Sequence, residues 1–128
     1  MTTIQLAFWL YLTNTVLLIL HEMDSAYWKE WDLFGLPGGI TGFLLLHVPL
    51  YPVGLYGLVL VSQGSRTGLI LSLVVGAAGI LAFCLHAWFL RRGRKEFDTP
   101  ASKGLLILLL LVSLAQTAAT LAAILSGA

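Results

Sequence analysis

The sequence predicts an all-α polytopic membrane protein, a bundle of four transmembrane helices, and three observations carry that expectation. Of 128 residues, 59% are hydrophobic and 10% charged, too few charges to cover a soluble domain of this size. The apolar residues fall into four long runs separated by short polar or Gly/Pro-containing breaks. The charges gather in two of those breaks instead of spreading along the chain. By length the chain suits a single unit, 1–128. A formal net charge of +1 gives no basis for a nucleic-acid partner. The one cysteine, Cys84, excludes a disulfide framework or cysteine metal cluster, and its apolar surroundings suggest a small buried side chain.

The first span covers about 4–24. Its apolar run LAFWLYLTNTVLLIL (6–20) is roughly 22 Å long as a helix, short of the ~30 Å hydrocarbon layer. Extending it draws His21, Glu22 and Asp24 into the headgroup zone. MTTIQ has no Lys or Arg and no small-residue cleavage pattern follows the run, which predicts a retained helix and no removed signal peptide. No Gly or Pro occurs from residue 4 to 34. One long projecting helix is therefore expected, or a break near Met23 followed by an interfacial helix. GLPGG (35–39) is a stop.

The second span, about 40–61, contains HVPLYP, where Pro49 and Pro52 predict a kink or local unwinding. SQGSRT (62–67) is a polar turn. The third span, about 68–90, has Gly68, Ser72 and Gly76 at four-residue spacing, a smooth stripe for close helix packing. After RRGRK (91–95), Asp98 or Thr99 can cap the fourth span, about 103–125, with Pro100 in its first turn. Ala115, Ala119 and Ala123 predict a second packing stripe, with Gln116, Thr117 and Thr120 as interhelical hydrogen-bonders.

Four spans place 21–37 and 91–103 on one face. That face receives six of the seven Lys/Arg residues and all six carboxylates. The positive-inside rule makes it cytoplasmic, with both termini outside, in what is expected to be a bacterial inner membrane. Trp28, Trp31 and Trp88 fit an aromatic belt there, with Trp9 at the opposite interface.

The block HEMDSAYWKEWDLF (21–34) carries the candidate chemistry. On a helix, His21, Asp24, Ser25 and Trp28 share a face that Asn14 and Leu17 extend, while Glu22 points about 100° away. His86 ends the third span on the same side, and His47 lies deeper, near ~13 Å. His21, Asp24, His86 and His47 form a candidate ligand set for a divalent metal, zinc or iron, with an open position. A catalytic version would use Glu22 and His21 as proton-transfer groups on a lipid-like substrate. H-x-x-D is a short pattern, and the second histidine of H-E-x-x-H is missing. The same residues can serve as interfacial caps and ion pairs with RRGRK. His47 alone suits a hydrogen bond to a proline-freed carbonyl. Tyr27, Trp28 and Trp31 can wall a lipophilic, quinone-like ligand or anchor the interface. RRGRK fixes topology and can contact anionic lipid heads.

HEMDSAYWKEW followed by FGLPGG resembles a family of small bacterial membrane proteins of unknown function, which carry H-E-x-D-x-x-Y-W-x-E-W before three further spans. The resemblance implies the four-span fold and emphasises His21, Glu22, Asp24, Tyr27, Trp28, Glu30 and Trp31. It implies no mechanism. A WKE tripeptide and the span count also give an analogy, and only that, to four-helix sterol isomerase and sigma-receptor-like proteins.

The function expected is a cytoplasmic-face site for a metal or lipophilic small molecule. One alternative is a non-catalytic interaction protein, using helix-packing stripes that include Gly76 and Ala119 to form a homo-oligomer or attach to a larger complex. Another is a haem binder using His47 and His86. Transport is least favoured, since twelve of thirteen Lys, Arg, Asp and Glu residues lie on one face.

Overall fold

Thr2 opens the first helix with a reciprocal cap. Its hydroxyl accepts from the Gln5 amide at 3.1 Å, and its own amide donates to the Gln5 side chain at 2.9 Å. The computed structural model describes residues 1–127, which hold five helices and no strand. They are α1 (Thr3–Tyr27), α2 (Glu30–Leu33), α3 (Gly39–Ser62), α4 (Arg66–Arg91) and α5 (Pro100–Leu125). The four long helices have 24 to 26 residues and are apolar enough to cross a membrane. At 1.5 Å per residue each extends roughly 36–39 Å, more than the hydrocarbon thickness.

Two element boundaries differ from expectation. The first helix neither breaks near Met23 nor continues to residue 34; it ends at Tyr27. Lys29 then adopts φ 52°, a left-handed turn without glycine, and α2 folds back toward the bundle. α3 runs unbroken through Pro49 and Pro52, so the expected unwinding is absent. Leu45 and Val48, whose carbonyls lose the prolines' amides as partners, lie on the outer surface, where the rings do not obstruct packing.

α1 and α4 form the middle of the bundle: each touches α3 and α5, whereas α3 and α5 do not touch among the described residues. The α1–α4–α5 side is closed. Gly68, Ser72 and Gly76 are buried as a stripe, and Gly76 and Gly79 bring α4 against Ser113 and Thr117 of α5. On α5 the inward residues are Ser113, Gln116, Ala119, Thr120 and Ala123, while Ala115 faces outward, because the face follows mixed three- and four-residue steps. Cys84 is also exposed, off the α4 face that carries Gly79 and His86.

A buried polar network joins these three helices. Asn14 Nδ2 donates to Gln116 Oε1 at 2.6 Å, and Ser113 Oγ donates to Asn14 Oδ1 at 3.1 Å. Gln116 Nε2 donates to the Ser72 carbonyl at 2.9 Å, and Ser72 and Thr120 hydroxyls meet at 2.8 Å.

The α3 side is looser. Only Gly57 and Val61 of α3 are buried. Tyr11 packs over Gly57, where a Cβ would collide with its hydroxyl, and donates to the Gly54 carbonyl at 2.8 Å. α3 is therefore packed closely at Gly57 and Val61, and a cleft opens beside its middle, along His47, Leu50, Tyr51, Val53 and Gly54.

Candidate functional site

α1, α2, α4 and the 92–99 loop converge at one end of the bundle. His21 on α1 and His86 on α4 are almost fully buried, at 2% and 1% exposure, with rings edge to face and centroids 4.8 Å apart. The turn at Lys29 carries Glu30 back over them, placing its Oε1 3.2 Å from His86 Nε2. One ligand atom from each of His21, Glu30 and His86 lies within 4.8 Å of the others.

Burial pushes the Glu30 carboxyl up. The hydrogen bond with His86, the nearby Ser25 hydroxyl and the charges of both imidazoles outweigh that and hold it below the usual carboxylate range. The Ser25 hydroxyl stands short of full hydrogen-bond geometry. Five buried polar atoms gather here without hydrogen-bond partners among the described residues: His21 Nδ1, His86 Nδ1, Asp24 Oδ2, Ser25 Oγ and Trp28 Nε1.

Phe97 covers the cluster. Its ring centroid is 4.0 Å from that of His86 and 5.9 Å from that of His21, and the residue is 1% exposed. Its φ of 64° is uncommon for a bulky side chain and costs about 1–3 kcal/mol, so the packing over two imidazoles outweighs that strain. Beside it, Arg94 donates to Glu96 at 3.1 and 2.7 Å. Backbone amides, then this guanidinium, hold the Glu96 carboxyl below its usual range.

A second acid–imidazole pair borders the first cluster. His47 Nε2 is 2.9 Å from Glu22 Oε2, and His47 Nδ1 donates to the Phe43 carbonyl at 2.7 Å. Phe43 is four residues back, so this carbonyl is not one freed by either proline. The pair lies at the junction of two cavities. One, of about 210 Å³, is the cleft among α1, α3 and α4; the other, about 250 Å³, reaches Glu30, Trp31 and Phe34. Glu22, His47 and Leu50 line both.

The sequence-derived set thus divides. His21 and His86 come together, joined by Glu30, while His47 pairs with Glu22. Asp24 makes no side-chain hydrogen bond through its buried oxygen, although it lies one turn beyond His21. His47 and His86, named above as a haem pair, engage different carboxylates. Tyr27 is 75% exposed, Trp28 packs near Phe97 with centroids 6.3 Å apart, and Trp31 lines the second cavity against Phe43. The reading of ligand residues missed Glu30 and Phe97. Glu30 lay inside the polar block, and Phe97 is the one apolar residue in RRGRKEFDTP.

Fold and site define a four-helix, membrane-type bundle with a buried His–Glu–His cluster at one end. Residues 7–123 match a family of unknown function, DUF6713, and the chain belongs to that family. No curated protein and no solved structure shows significant similarity to it.

Proposed function

We propose that this is an integral membrane protein whose polar end holds one divalent transition-metal ion, with His21, Glu30 and His86 as its protein ligands. The observation that carries the reading is the convergence of two buried imidazoles and a carboxylate within 4.8 Å, with both Nδ1 atoms unpartnered. Ligands about 2.0–2.1 Å from a tetrahedral ion lie about 3.4 Å apart. The 3.2 Å Glu30–His86 contact meets that spacing, and the widest separation closes by small side-chain rotations. Two imidazoles and one carboxylate suit zinc, iron or manganese and leave coordination positions open. Glu30 also lines the second cavity, so those positions would be reachable from it. Asp24 lies one turn beyond His21 with a buried, unpartnered oxygen, near enough in sequence to turn toward a metal-bound imidazole as outer carboxylates do. The Lys/Arg bias of the loops supports a cytoplasmic location for this end. An ion there would polarise a carbonyl or activate a water beside Glu22, which suits chemistry on a lipid-like substrate.

The test is elemental mass spectrometry on protein purified in mild detergent without chelators. Near-stoichiometric zinc, iron or manganese is expected in the wild type. His21→Ala, Glu30→Gln and His86→Ala should each lower it roughly tenfold or more, with Asp24→Asn having a smaller effect. A folded, metal-free wild type, or metal retained after loss of both histidines, overturns the assignment.

A further inference from the structure

We infer that the cleft among α1, α3 and α4 binds a single-tailed, uncharged lipid whose hydroxyl head group bonds to the Glu22–His47 pair. This goes beyond the metal reading and does not rest on it.

The head group follows from the pair. His47 Nδ1 faces a carbonyl at 2.7 Å and must carry a hydrogen. Its Nε2 faces Glu22 Oε2 at 2.9 Å, where two lone pairs would repel, so one proton lies between them. Whichever partner holds it, the pair is neutral as a whole, both imidazole nitrogens are engaged, and the other Glu22 oxygen is left as an acceptor. A hydroxyl donating to that oxygen complements it, whereas a carboxylate or phosphate would approach Glu22 with Glu30 also nearby.

The tail follows from the walls. Beyond the pair the lining includes Leu18, Val74, Val75 and Ala78. Of the other polar groups lining the cleft, Tyr11 is satisfied by the Gly54 carbonyl and Thr15 by the Tyr11 carbonyl, each at 2.8 Å, and Tyr51 lies at the pair's own end, its ring centroid 5.5 Å from that of His47. Only one end of the cleft is left to bond a head group. A volume of about 210 Å³ holds roughly seven water-sized groups of ~30 Å³. That suits one stretch of chain, with the remainder extending through the lateral opening. Leu50 and Val53 both line the cleft and are 53% exposed on the outer surface, so the space opens sideways to the lipid phase.

The experiment uses photoreactive analogues of decanol, decanoic acid and decyltrimethylammonium with the same diazirine in the tail, added to detergent-purified protein at neutral pH. Peptide mapping should place the decanol label on cleft residues such as Leu18, Val75 or Ala78, with excess decanol competing. Decanoic acid should label roughly tenfold less, the scale of one unfavourable charge contact. Ala78→Phe fills the cleft and should abolish labelling. Glu22→Leu keeps the tail space and should erase the preference among heads, which decides the matter if the phenylalanine variant fails to fold. Labelling spread over outer α3 and α5 and unchanged by Ala78→Phe overturns the proposal, as does preference for the acid or the cation. Metal content of the same samples separates the two readings. Cleft labelling without metal sinks the ion alone; metal without cleft labelling sinks the lipid alone.

Discussion

Phe97 shows what single residues contribute. Replacing it with alanine removes a buried ring and leaves a left-handed backbone, so a loss of about 3–5 kcal/mol is expected. Phe97→Gly removes the same ring but relieves the strain, and should be about 1–2 kcal/mol less damaging than alanine. Unfolding of the helical circular-dichroism signal in mixed micelles would show this inversion of the usual order. Lys29 makes the same point in the turn between α1 and α2: Lys29→Gly should preserve the fold, whereas Lys29→Val should cost about 1–2 kcal/mol and reduce bound metal. Glu96 has a lowered carboxyl pKa, so its contribution is present above the ordinary carboxylate range and lost as pH falls through the lowered value. Glu96→Gln should flatten the acid limb of the unfolding profile slightly, the group being mostly solvent-exposed. The histidines were legible in the sequence because ionisable residues stand out in so apolar a chain. The partnership of His86 with Glu30 was not, because it depends on one non-glycine residue adopting φ 52°.

At the level of elements, the spans were legible to within a few residues from hydropathy and Gly/Pro stops, and the Gly68–Ser72–Gly76 stripe from its spacing. The behaviour of α3 was not. Its prolines suggested unwinding, yet the helix is continuous, and its looseness comes from having only two residues buried. Gly57 is the point at which it is held. Gly57→Val should displace the Tyr11 hydroxyl and Leu71, costing about 1–3 kcal/mol and freeing α3. Hydrogen exchange by mass spectrometry should then show faster exchange confined to peptides of α3, with α5 unchanged.

The whole molecule has two unlike sides: α1, α4 and α5 are joined by buried hydrogen bonds, and α3 leans across a cleft. Asn14→Leu removes bonds to α5 and leaves Gln116 short of a partner, so a loss of about 1–2 kcal/mol is expected. Combined with Gln116→Leu, the total should fall short of the sum of the separate losses, because the two act in one network. The same bonds impose an order on biosynthesis. Asn14 is made in the first helix, while Ser113 and Gln116 are about a hundred residues later, so α1 is synthesised with that amide lacking its final partners. Chains interrupted before the last helix would keep this polar group in α1 without its α5 partners, a chemical mark that tells an unfinished molecule from a complete one.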